Sequence, residues 1–92
     1  MRVVATAYCQ RGTTKSGVDA QPGIVAADPR FLPLGTVLRI IGPPRQYGGI
    51  YTVMDTGSAV KGRTVDIFMP SCAGAVHFGR RTMRVRVIKK GP

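Results

Sequence analysis

The sequence predicts a mainly β fold: about six short strands closed into a small barrel, with one short helix. Three observations carry this. Apolar and polar residues alternate over short runs, the period of a strand with one buried face. Twelve Gly and seven Pro punctuate those runs into short pieces. A shift of 27 residues overlays AADPRFLPLGTVLRI on VMDTGSAVKGRTVDI, placing Asp28 on Asp55, Gly35 on Gly62 and Ile40 on Ile67. Two similar strand, loop, strand units imply a pseudo-twofold internal repeat.

The elements follow in chain order. VVATAYC alternates as a strand, and QRGTTKSGVDAQPG is a polar loop too rich in Gly and Thr to be helical. GIVAAD and TVLRIIG are strands joined by the Pro-bounded turn PRFLPLG. PPRQYGG turns the chain into the strand IYTVMD, and the compact loop TGSAVKGR leads to the strand VDIFM. PSCAGAVHFG is the only stretch able to form a short helix. In TMRVRVIKK, Met83, Val85 and Val87 share one face and Arg84, Arg86 and Ile88 the other. Closing the barrel removes the exposed edges that short strands otherwise leave.

Ninety-two residues suit one domain, residues 1–92, in which about 60–65% of the unfolded chain's surface is buried. No apolar run reaches the roughly 20 residues of a membrane span. MRVVATAYC lacks the pattern of a signal peptide, so in an exported protein the targeting segment would have been removed or would lie upstream of this sequence. Fourteen Lys and Arg against four Asp and no Glu give a net charge of +10, which attracts polyanions and makes every aspartate worth separate scrutiny. The basic face of the last strand reads either as a solvated, aggregation-resistant edge or as a dock for an acidic polymer, cell wall or nucleic acid.

Cys9 and Cys72 could form one long-loop disulfide in an oxidising compartment, and the sequence leaves that open. With His77 they make a poor metal set, because zinc takes three or four closely spaced ligands; no metal and no cofactor is expected. His77 reads as a packed or surface histidine.

The stretch VMDTGSAV has the local signature of an aspartic protease. That reading fails on order, since the residues after Asp55 leave no room for the Gly-rich flap hairpin such a protease needs. Asp66 poses a different question. It stands in mid-strand between Val65 and Ile67, where Asp is intrinsically disfavoured and partly withdrawn from water. Asp55 ends the preceding strand, so the connecting loop can bring both carboxyl groups to one mouth of the barrel. Crowding of like charges, with burial against Phe68 adding to it, then raises one pKa and makes a general acid.

ATAYC, TTKSG, GIVAADPRFLPLGT, VMDTGSAVKGRTVDIF and FGRRTMRVRVI together resemble the three-aspartate, or 3D, domain, which is related to membrane-bound lytic transglycosylase A. The resemblance covers nearly the whole chain and implies a six-stranded double-psi β-barrel. The naming aspartates match Asp28, Asp55 and Asp66; Asp19 is not among them. The implied activity is cleavage of the β-1,4 bond between N-acetylmuramic acid and N-acetylglucosamine with formation of a 1,6-anhydro sugar. By this resemblance Asp66 is the acid/base and Asp55 tunes it. Tyr8, Thr14, Ser16 and Thr56 form a polar wall toward the sugar, Lys61 holds a carboxylate of the substrate, and Asp28, placed in the same site, fixes the first repeat's loop. Gly57 and Gly62 allow turn conformations. Ser58 stands where the family often has a second Gly.

The expected partners are peptidoglycan glycan strands and anionic wall polymers, in an extracytoplasmic setting, with no nucleic acid. A rival reading is a non-catalytic, expansin-like wall-binding module. The Asp55 and Asp66 pair favours an enzyme. The lack of Trp to stack on sugars favours a binder.

Overall fold

The computed structural model describes all 92 residues, Met1–Pro92. Six strands form where alternation predicts them: β1 (Arg2–Tyr8), β2 (Ile24–Ala27), β3 (Val37–Ile41), β4 (Gly49–Asp55), β5 (Thr64–Phe68) and β6 (Arg81–Lys89). The helix α1 is Cys72–Phe78, and a short 3-10 turn at Arg45–Tyr47, which the sequence did not suggest, lies between β3 and β4.

The strands close in the order β1-β5-β2-β4-β3-β6. At the centre β2 and β4 run parallel. The chain leaving β2 becomes β3, which pairs antiparallel with β4, and the chain leaving β4 becomes β5, which pairs antiparallel with β2. Each repeat therefore donates its second strand to the other repeat's first. This reciprocal crossover is the double-psi arrangement, and it explains why the 27-residue shift preserves the apolar pattern.

Alternation fills the interior. Val3 and Ala5, Val25 and Ala27, Leu38 and Ile40, Val65 and Ile67, and Met83 and Val85 point inward in pairs two residues apart, joined by Val53, Leu32 and Phe78. Ala5 and Ala27 are fully buried, and their small size suits so narrow a barrel. Phe78 stacks edge-on against Tyr47 at 4.6 Å, with the Arg81 guanidinium 5.0 Å above its ring. Burying such a side chain is worth about 1.5–3 kcal/mol. The helix that delivers Phe78 is capped by Ser71, whose hydroxyl accepts the Gly74 N–H at 3.0 Å, and ends at Gly79 with φ +64°.

The last strand is not an edge. β6 pairs with β1 on one side and β3 on the other, so its basic outer face does not shield an open sheet margin. Cys9 and Cys72, whose pairing the sequence left open, are joined as a disulfide that ties the end of β1 to the start of α1. Both thiols are thereby withdrawn as metal ligands. His77 is exposed on α1.

Asp28 locks the two crossover loops together. Its carboxylate accepts the Arg30 N–H at 3.0 Å and the Arg30 guanidinium at 3.2 and 3.1 Å. It also accepts the Gly62 N–H at 2.9 Å from the loop between β4 and β5. Gly62 presents that N–H from φ +62°, a conformation costly for other residues. Gly57 differs from expectation: its φ is not positive, and what excludes a side chain there is Val60, whose Cγ2 would lie 2.9 Å from an added Cβ.

The Arg30 side chain, then the Gly62 N–H and the Arg30 N–H, hold the Asp28 pKa far below its ordinary 3.8. A depressed carboxylate stabilises the fold above its unfolded pKa and loses that contribution as pH falls toward the folded one. Asp28→Asn is therefore expected to lower stability at neutral pH and to flatten the decline below about pH 4. Urea unfolding at several pH values checks this; an unchanged acid limb would remove Asp28 as the brace.

Candidate active site

The bonds on Asp28 already separate it from the other two aspartates. Both of its oxygens are engaged, and it forms the chain's single salt bridge. The Asp28 carboxylate is thereby committed to the loop after β2 and the loop after β4.

Asp66 and Asp55 meet on the outer wall rather than at a mouth of the barrel. Val65 and Ile67 face the core, so Asp66 faces out. Ala26 on β2 pairs in register with Asp66 on β5 and with Asp55 on β4. The latter pairing needs the irregularity between Val25 and Ala26, because Val53 pairs with Val25 and the register then skips Met54. Without that skipped residue, strict alternation from Val53 would turn Asp55 inward. On the other side Thr6 of β1 pairs with Asp66. One row thus runs Thr6, Asp66, Ala26, Asp55 across four strands.

Thr6 Oγ1 donates to Asp66 Oδ1 at 2.9 Å. Asp55 Oδ1 accepts two backbone N–H groups, from Thr56 at 2.9 Å and Lys15 at 3.0 Å, which pin the carboxylate. Neither Asp55 nor Asp66 pairs with a cation, although the chain carries fourteen. The Asp66 pKa is raised, chiefly by burial, with the Asp55 charge adding to it and the Thr6 hydrogen bond opposing. This ordering reverses the sequence expectation, in which crowding came first. Two strand spacings, roughly 9–10 Å between backbones, separate the aspartates, so desolvation outweighs their repulsion.

Tyr8 crosses the same wall. Its ring meets the buried Phe68 edge-on at 5.5 Å, and the Arg11 guanidinium lies 5.8 Å from the other ring in the pair. The Tyr8 hydroxyl is buried with no hydrogen-bond partner. Burial, then the charges of Asp55 and Asp66, push its pKa up to about 12, so it stays a donor. A cleft lined by Tyr8, Gln10, Arg11, Thr13 and Asp55 opens here. Asp66 does not line that cleft; it stands half-buried on the same wall.

The polar loop between β1 and β2 docks on the end of β4. Ser16 donates its N–H to Met54 O at 3.1 Å, and its hydroxyl oxygen lies 3.2 Å from Met54 Sδ. Thr14 is buried, donating to Val18 O at 2.7 Å and bonded to Ser16 at 3.0 Å, so it shapes the loop from within. Thr56 contributes its N–H to Asp55. Lys61 and Ser58 are exposed on the loop between β4 and β5. The Asp19 carboxylate accepts a 3.5 Å bond from Thr13 in its own loop. Sequence reasoning missed Thr6, although alternation along ATAYC puts it on the same face as Tyr8.

A closed double-psi barrel with this wall defines a class of fold. The chain resembles the Escherichia coli lytic transglycosylase MltA in an apo form, with a TM-score of 0.72 and 23% identity over 90% of this chain and 29% of that one. Against E. coli MltA with bound chitohexaose the TM-score is 0.70 at 22% identity, with the same coverage. At that identity the likeness establishes the fold. The chain itself belongs to the 3D domain family, whose model matches residues 23–89 and so takes in Asp28, Asp55 and Asp66. It is also 35% identical over 97 residues to the cell wall-binding protein YocH of Bacillus subtilis (strain 168). That alignment covers 96% of this chain but only 32% of YocH, so the chain spans about a third of the relative's length. No helix is long and apolar enough to cross a membrane.

Proposed function

We propose that the chain works outside the cytoplasm on peptidoglycan glycan strands as a lytic transglycosylase, with Asp66 as its acid/base. The observation that carries this reading is a half-buried carboxyl group with a raised pKa and no cationic partner. A structural aspartate in so basic a chain would be expected to recruit an arginine, as Asp28 does. Asp66 first protonates the glycosidic oxygen as the C1–O4 bond breaks. As a carboxylate it then accepts the proton of the muramyl C6 hydroxyl while the O6–C1 bond forms. No water enters the product, and the carboxyl group returns to its starting state. Asp55, held by two N–H groups, adds negative charge that favours both the protonated acid and the cationic sugar ring.

Wall binding without cleavage is the second reading, and the name of YocH, a cell wall-binding protein, favours it. The two are separated by digesting purified sacculi and analysing what is released by mass spectrometry. Anhydro ends support the transglycosylase, reducing ends a hydrolase, and retention without release a binder.

Tyr8 serves either reading, because it lines the cleft beside Asp55 and its hydroxyl has no partner within the chain. Tyr8→Phe is expected to leave thermal stability unchanged or slightly higher. Sacculus binding or turnover should weaken by about 0.5–1.5 kcal/mol, a factor of roughly 2 to 10. A stability loss without a functional loss would assign the hydroxyl a structural role instead.

A further inference from the structure

The basic outer face of β6 takes no part in the site just described. Its arginines are ordered by the sheet. Arg84 lies directly opposite Arg2 of β1, and Arg86 directly opposite Arg39 of β3. All four are exposed, and none of their side chains makes a hydrogen bond or salt bridge within the chain. Like charges directly opposite one another on neighbouring strands destabilise a sheet. Here the face holds two such pairs side by side and no acid to relieve them.

The acids are elsewhere. In the order β1-β5-β2-β4-β3-β6, β6 stands three strands from β2 in either direction, so the arginine face lies across the barrel from Ala26 and the two site aspartates. Asp28 follows β2, and Asp19 lies in the loop before it. Charge is therefore segregated: carboxylates around β2, unpaired guanidinium groups around β6. The arginine side is also concave. One depression is lined by Arg39, Ile41 and Arg45, and a second by Ile41, Arg84 and Arg86, so the two meet at Ile41.

We propose that this face is a second polymer-binding surface, which holds a phosphodiester-linked polyanion of the wall while the opposite face engages glycan. The proposal rests on the wall reading above but not on catalysis. Arginine suits phosphate because its planar fork donates two parallel hydrogen bonds to one anion. Strand geometry spaces the four groups by about 5 Å across the sheet and about 6.6 Å along it, a grid that follows a chain of repeated charges rather than one small ion. Opposed placement lets one molecule bind both polymers together. The polyanion also neutralises the repulsion that the bare face carries.

The test measures binding of the whole chain to a purified poly(glycerol phosphate) and to two preparations of sacculi, one native and one stripped of phosphodiester polymers with cold hydrofluoric acid. With four arginine contacts, the slope of log K against log salt should be about −3, at roughly 0.7 per contact. Arg84→Gln with Arg86→Gln should about halve that slope and lower retention on native sacculi severalfold, without changing retention on stripped ones. Arg63→Gln, in the loop before β5, is the control for the single variant Arg84→Gln, which removes the same charge. Equal loss from these two single variants, or equal wild-type retention on native and stripped sacculi, overturns the proposal. So does tighter binding to a single-stranded oligonucleotide of matched charge, which would make nucleic acid the partner. Failure of the glycan reading has a different signature: no retention on stripped sacculi for any variant, with polyanion binding intact.

Discussion

Asp66→Asn is expected to reduce the release of anhydro-muramyl ends from sacculi by about 10²–10⁴-fold, the usual share of a general acid/base. Asn keeps the size of the side chain, and its carbonyl oxygen can still accept the Thr6 hydroxyl that now bonds Asp66 Oδ1. What it cannot do is move a proton. The same variant should be more stable than the parent at neutral pH. A carboxyl group whose folded pKa is raised stabilises the fold most below its unfolded value of 3.8, and that contribution is lost as pH rises through the folded pKa. Above its unfolded pKa the parent gives up the favourable ionisation it has in the unfolded chain, a cost that Asn does not carry. At low pH both side chains are neutral, and the difference should close. Activity should follow the same group, with a descending limb displaced to higher pH than an ordinary aspartate would give. Product analysis and thermal melts across pH check both halves. Undiminished release from the variant would dismiss Asp66 as the acid. A less stable variant at neutral pH would dismiss the burial on which its assignment rests.

Reduction of the Cys9–Cys72 bond is the second large effect. The bridge spans 63 residues. In the chain-entropy account, closing a loop of that length constrains the unfolded chain by roughly 4 kcal/mol. Domains of this size are stable by only about 5–14 kcal/mol in total, so the loss is a large fraction. At about 4–8 °C per kcal/mol, the melting temperature should fall by on the order of 15–30 °C. The local consequence concerns function: Cys9 follows Tyr8 directly, so the bridge fixes the end of β1 that carries the unpartnered hydroxyl beside the aspartates. Cys9→Ser with Cys72→Ser should reproduce the stability loss of reduction. Melts with and without reductant decide the matter, and a shift of less than about 5 °C would mean the barrel holds β1 in place unaided.

The β-rich fold was legible because its causes are local. Val3 and Ala5, or Met83 and Val85, are buried by the period of a strand, and that period is written in consecutive residues. The repeat was legible for a similar reason: two units crossing reciprocally into each other meet the same environments and keep the same pattern. Asp66 stood out because a carboxyl group inside an apolar strand has to be compensated.

Other features depend on residues far apart in sequence. That Asp66 and Asp55 share a wall depends on both pairing with Ala26, and for Asp55 on one irregularity of register that turns it outward. That Asp28 ties its own loop, which it holds through Arg30, to the loop after β4 depends on the N–H of Gly62, 34 residues away. Thr6 gained its bond to Asp66, and the arginines of β1, β3 and β6 their mutual repulsion, from the strand order of a closed barrel. By itself, then, the sequence determined where strands form, that they repeat, and which carboxyl groups need explaining, since propensity and periodicity act over a few residues. Tertiary structure decided which groups meet, because electrostatics and desolvation depend on distance through space, which only the closed sheet sets.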